Sequence, residues 1–171
     1  PHDEIPKEFL TMHHLEQYPD TTFLVGGFNG INQLNWIFSR MGGKRDDAYN
    51  VRLGKDVHGG VIKSRENIRH AKFVILYEFG KEYKGVYKAF RVKNIGELTK
   101  QQMIDTGYIN PQHDAYLCYF FDEEITLGEF DIKKIIEADK MKHEADSKQK
   151  KEYAEGQPVY MSGRELIKFR L

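Results

Sequence analysis

The chain has 171 residues, enough for one domain with a real core, and its 40% hydrophobic, 30% charged and 13% aromatic residues exclude a disordered chain. A single cysteine, Cys118, excludes an internal disulfide and a cysteine-based zinc site, which points to a reducing, intracellular compartment. Formal net charge is zero, but it divides into −4 over Pro1–Ser39, +8 over Arg40–Lys93 and −4 over Asn94–Leu171.

Along the chain, Lys7–Tyr18 carries Phe9, Leu10, Met12 and Leu15 at helical spacing and stops at Pro19-Asp20. Thr22–Val25 reads as a short strand followed by a Gly26-Gly27 turn. Asn29–Gly42 reads as a helix with Ile31, Leu34, Ile37, Phe38 and Met41 on one face and Trp36 beside it. Residues 43–63 are glycine-rich loop around a candidate strand, Tyr49–Leu53. Ser64–His70 forms one or two helical turns. Lys72–Phe79 is β-branched and aromatic throughout, and with Val86–Lys93 it predicts an antiparallel hairpin. Thr99-Lys-Gln-Gln102 and Ser162-Gly-Arg-Glu165 are capping-box patterns that open short helices. Ala115–Phe121 is a buried strand holding Cys118 as a small hydrophobe, and Glu124–Leu127 continues it after a bend.

From Asp131 to Glu155 the chain is helix-forming and charged, with an apolar face only at Ile132, Ile135, Ile136 and Met141. Residues 139–155 are expected to be a solvated helix or mobile arm. Pro158–Met161 is a last strand. No apolar run is long enough to cross a bilayer, and no signal-peptide pattern opens the chain. Together these elements predict one α+β domain over 1–171: a curled antiparallel or mixed sheet, or small β-barrel, flanked by helices. The chain begins at Pro1 rather than Met, as expected of a trimmed domain or a piece of a longer protein with further domains or subunits.

Enzyme signatures are scarce. No Gly-x-Gly-x-x-Gly, Walker or Gly-x-Ser-x-Gly pattern occurs. Gly26-Gly-Phe-Asn-Gly30 could present N–H groups to a phosphate or be an ordinary strand-to-helix turn. The seven histidines show no ligand spacing, so neither a metal nor a cofactor is expected. Asp131-Ile-Lys133, with Asp122 and Glu129 upstream, has the form of a metal-dependent nuclease motif, but equally of an acidic first helical turn.

The more informative pattern is a basic stretch interleaved with aromatics. Arg40, Lys44, Arg45, Arg52, Lys55, Lys63 and Arg65 accompany Trp36 and Tyr49, and Lys81, Lys84, Lys88 and Arg91 follow around the hairpin with Tyr83 and Tyr87. Cations neutralise phosphates and aromatic faces stack on exposed bases, so this combination suits nucleic acid. The alternative is that these cations pair with the acidic thirds on a solvated surface.

Ile68–Phe79, a polar turn, and then Gly85-Val-Tyr-Lys-Ala-Phe-Arg-Val-Lys93 resemble the middle of PUA-like domains of the EVE and YTH kind, over about sixty residues. That resemblance implies a small curled barrel that binds DNA or RNA and holds a flipped, sometimes modified, base among aromatic side chains. It places Trp36 in the pocket wall, with Tyr49 and Tyr77 as neighbours by position; the further tryptophans of a YTH cage are absent. The expectation is therefore a nucleic-acid reader without catalysis, of the sort that targets a nuclease or motor in restriction or defence. A metal-dependent nuclease and a protein-interaction domain are the alternatives.

Overall fold

The computed structural model describes residues 12–38, 47–53, 66–79, 85–146, 152–154 and 156–171. In chain order they form β1 (Thr22–Phe28), α1 (Gly30–Ile37), β2 (Asp47–Leu53), β3 (Ala71–Glu78) and β4 (Val86–Thr99). There follow α2 (Lys100–Asp105), β5 (Ala115–Ile125), α3 (Ile132–Ala145), β6 (Val159–Ser162) and α4 (Gly163–Leu166). Short 3₁₀ turns cover Met12–Gln17, Glu66–His70 and Ile167–Phe169.

All six strands join one mixed sheet in the order β2-β5-β4-β3-β1-β6. The expected hairpin is present, with β3 antiparallel to β4. β1 lies parallel to β3, the one parallel pair among the described strands. Parallel neighbours need a crossover, and here the chain leaves β1, passes through α1 and β2, and returns to β3.

The sheet is rolled, and its tyrosines show how far. Strands four places apart in a flat sheet would lie roughly 19 Å apart. Yet the Tyr119 hydroxyl on β5 is 2.6 Å from the Tyr160 hydroxyl on β6, and Tyr119 donates to the Ile68 carbonyl at 2.7 Å. The Tyr49 hydroxyl on β2 donates to the Gly27 carbonyl on β1 at 2.8 Å. Both contacts span four strand positions, so the sheet curls into a half-barrel. The fold is α+β, as the sequence predicts.

Residues alternate between two cores. Leu24, Phe28, Val74, Leu76, Leu117 and Tyr119 join the one that includes the rolled interior. Phe23, Val25, Phe73, Ile75 and Tyr77 enter the second, closed by Ile132 and Ile135 of α3 and by Leu166. The central strands are thus apolar on both sides, which is why β3 reads as a continuous hydrophobic run.

Several expectations are corrected. β1 does not stop at Val25 but runs through Gly26 and Gly27. A Cβ on Gly26 would stand 2.5 Å from the Tyr49 ring, and one on Gly27 2.8 Å from the Tyr77 ring, so these glycines admit tyrosines rather than mark a turn. Of the helical face assigned to residues 29–42, Ile37 is buried and Leu34 and Phe38 pack against the first core. Ile31, however, is 65% exposed, and Trp36, placed beside the face, is buried. Met41 lies outside the described residues. Met141 is 70% exposed and takes no part in the apolar face of α3.

Both capping boxes form. The Thr99 side chain accepts from the Gln102 N–H at 3.2 Å while the Gln102 side chain accepts from the Thr99 N–H at 2.8 Å. Ser162 and Glu165 repeat the arrangement at α4. Thr99→Ala is expected to lower stability by about 1 kcal/mol, read as a fall in the urea midpoint at constant slope.

Candidate binding cleft

β2 is one edge of the sheet, and the curl brings it opposite the C-terminal end of β1. Between them opens a cleft of about 400 Å³, within the range of small-ligand sites. Gly27, Phe28, Asn29 and Gln33 line it from β1 and α1, and Tyr49, Asn50, Val51 and Arg52 from β2. Tyr108, Asn110, Gln112, His113 and Tyr116 line it from the loop before β5 and that strand's start, and Phe79 and Gly156–Pro158 complete it. A neighbouring groove of about 610 Å³ shares Asn29, Gln33 and Tyr108 and adds Asn32, Asn35, Trp36, Gly107 and Ile109.

The walls are stiffened from behind. The indole N–H of Trp36 donates to the Thr106 hydroxyl at 3.0 Å, which donates to the Met103 carbonyl at 2.6 Å. Trp36 meets Tyr108 edge-on, with centroids 5.3 Å apart and planes at 89°. Trp36 is only 6% exposed, so it braces Tyr108 more than it offers a stacking face of its own. Tyr108 leans on Tyr116 at 5.6 Å. The Tyr116 hydroxyl accepts the backbone N–H groups of Gln112 at 3.0 Å and His113 at 3.2 Å, fixing that loop to β5. On β2, Arg52 is the cross-strand partner of Tyr116, and its Nη1 lies 3.2 Å from His113 Nε2. Guanidinium cannot accept, so Arg52 donates and His113 carries its proton on Nδ1.

Burial pushes the Tyr49 phenol far above its ordinary value, with Tyr77, Tyr108 and Tyr119 adding to the effect. Burial, then Tyr116, raises Tyr108, against the opposing charge of Arg52. Desolvation, then the Arg52 charge, lowers His113, and Asp114 opposes both. Tyr49 and Tyr108 are therefore neutral hydroxyl donors at physiological pH.

Of the residues expected to form a base pocket, Tyr49 lines the cleft through β2, Trp36 lines the adjoining groove, and Tyr77 is fully buried in the second core. Of the expected phosphate contacts, Arg52 lies in the cleft. Arg40, Lys44, Arg45, Lys55, Lys63 and Arg65 fall outside the described residues. Around the hairpin, Lys88 lies 3.3 Å from Glu124 and Arg91 3.8 Å from Glu123 across β4 and β5. Arg69 pairs with Glu97. Part of the basic middle third is thus matched by the acidic final third, at about 0–1 kcal/mol per exposed pair.

Asp131 is the N-cap of α3, its side chain accepting from the Lys134 N–H at 3.1 Å. Glu129 accepts from the Val86 N–H at 3.1 Å, and Lys133 is exposed. No group of three or more His, Cys, Asp or Glu side chains among the described residues is placed to hold a metal ion.

The sequence reading singles out neither Tyr108 nor Gln112, and it takes His113 as one of seven histidines without ligand spacing. The available signal was compositional: Asn29, Asn32, Gln33 and Asn35 form one amide cluster, and Asn110, Gln112 and His113 a second polar one, with tyrosines beside it.

No family model matches the sequence, and no curated protein does. Among solved structures, the chain is similar to a mutant form of ZmASCH from Zymomonas mobilis. The TM-score is 0.43 and the identity 9%, over 88% of this chain and 95% of that one. No helix among the described residues is long and apolar enough to cross a membrane.

Proposed function

We propose that the chain is a nucleic-acid-binding module that takes an unstacked base into the cleft between β1 and β2, without chemistry of its own. The observation that carries this reading is the lining: side-chain amides at Asn29, Gln33, Asn50 and Gln112 share the cleft with the half-buried ring of Tyr108, which the buried Tyr116 backs. Amides offer paired donors and acceptors to the edge of a base, and aromatic rings take its face. The resemblance of the β3–β4 hairpin to PUA-like domains of the EVE and YTH kind supports the same reading. So does the excess of cations over Arg40–Lys93, which would meet the phosphates on either side of the base. A base modification would be read by the amides that line the cleft.

The test is fluorescence anisotropy of labelled single- and double-stranded DNA and RNA at two salt concentrations. Single strands are expected to bind saturably and to weaken steeply with salt. Tyr108→Ala is expected to weaken them about ten-fold, since one base–aromatic stack contributes roughly 1–3 kcal/mol. Lys44→Glu with Arg45→Glu should reduce the salt dependence as well as the affinity. Absence of binding to every probe at tens of micromolar protein would overturn the reading.

A further inference from the structure

We propose that Arg52 and His113 form an oxyanion seat at the β2 end of the cleft, and that the oxyanion it takes is the phosphate of the nucleotide whose base enters beside it. This rests on the reading above and adds to it the position and polarity of one ligand group.

Three observations carry it. Each of the other described arginines faces a carboxylate: Arg69 pairs with Glu97, Arg91 with Glu123, Arg164 with Asp20 and Arg170 with Glu16. Arg52 instead faces the imidazole of His113 at 3.2 Å, which uses one of its N–H donors and none of its charge. Secondly, the chain has 26 Asp and Glu residues, yet none is among the residues that line the cleft. Among the described residues that line the cleft, Arg52 is thus the permanently charged one, with neutral donors around it and Asp114 beside His113. Thirdly, the pair is held in place. Arg52 and Tyr116 are cross-strand partners, the Tyr116 hydroxyl fixes the backbone at Gln112 and His113, and the His113 ring packs edge-on against Tyr116 at 6.0 Å and 78°.

A guanidinium offers a fork of N–H donors that matches phosphate oxygens. In the unliganded protein His113 Nε2 accepts from Arg52. A phosphate oxygen arriving between them takes over as acceptor, and a proton on Nε2 turns His113 into a second donor. Binding and protonation of His113 are therefore linked, and affinity rises as pH falls. The groups that face His113 are Arg52 on β2, Tyr116 on β5 and its chain neighbour Asp114. Desolvation and Arg52 hold the free imidazole below its ordinary value, so the gain in affinity begins as pH falls through the midpoint of the phosphate-bound form and is complete only below that lowered value.

The experiment follows the ring C–H signals of His113 by NMR in the whole chain across a pH titration, with and without inorganic phosphate. Phosphate is expected to displace these signals and to move the His113 midpoint upward, and Arg52→Gln to abolish both effects. Arg52→Lys, which keeps the charge without the fork, should retain part of them. In parallel, Arg52→Gln should weaken a single-stranded oligonucleotide about ten-fold while leaving an uncharged nucleoside unaffected. His113 signals that ignore phosphate would overturn the seat, even with oligonucleotide binding intact. A phosphate response with no oligonucleotide binding would overturn the assignment to a nucleotide and leave a site for free phosphate. Oligonucleotide binding indifferent to Arg52→Gln would place the phosphates elsewhere and overturn the proposal while sparing the base cleft.

Discussion

Tyr119→Ala is expected to destabilise the chain by about 3–5 kcal/mol, the range for removing a large aromatic from a core. The side chain is fully buried, and its hydroxyl is the point where β5, β6 and the turn at Ile68 meet. Tyr119→Phe separates the two contributions. It keeps the ring and removes only the hydroxyl, leaving the Ile68 carbonyl and the Tyr160 hydroxyl to find other partners, at about 1–3 kcal/mol. Urea unfolding followed by circular dichroism checks both. The larger loss should appear as a lower midpoint at unchanged slope. A Tyr119→Phe variant as stable as the parent would refute the claim that this hydroxyl helps close the rolled sheet.

Gly26→Ala is the second large effect, expected to lower stability by about 1–3 kcal/mol through overpacking. The new methyl group would sit 2.5 and 2.7 Å from two carbons of the Tyr49 ring. That ring cannot swing aside cheaply, being 4% exposed and tied by its hydroxyl to Gly27. The strain should be specific to the pair. Combining Gly26→Ala with Tyr49→Val should cost less than the sum of the two single changes, because the smaller side chain leaves room for the methyl. Additive losses in thermal or urea unfolding would mean that Gly26 matters for some other reason. The same double variant opens the cleft wall, so its oligonucleotide affinity should fall even where its stability recovers.

The features legible in the sequence are those decided by near neighbours. The capping boxes at Thr99 and Ser162 are three-residue signals, and both form. The β3–β4 hairpin is announced by its own composition, and the curled mixed sheet follows from many short strands without regular βαβ alternation. What was not legible depends on partners distant in the chain. Gly26-Gly27 reads locally as a turn because nothing nearby says that Tyr49 and Tyr77 need the space. That Trp36 is buried and tied to Thr106 is not legible either, because Thr106 lies 70 positions on. Whether Lys88 and Arg91 pair with acidic residues stays open in the sequence, because their register against Glu124 and Glu123 is a property of the assembled sheet. For the site, the basic and aromatic pattern led to Arg52 and Tyr49. His113 was passed over because it stands alone, and its meaning comes only from Arg52 across the cleft.

The pairing of β1 with β6 also bears on timing. Thr22 lies opposite Ser162, so β1 takes a partner that is synthesised about 140 positions after it. Closing so long a loop carries an entropic penalty that must be met before its contacts reward it, which slows folding. Until Val159–Ser162 arrives, β1 has an unpaired edge and Tyr119 lacks the Tyr160 hydroxyl. Gly156–Pro158, one wall of the cleft, comes with the same segment. A nascent chain thus lacks a complete cleft before that strand emerges, and until then the unpaired edge of β1 is a place for a chaperone to hold or for a neighbouring chain to pair wrongly.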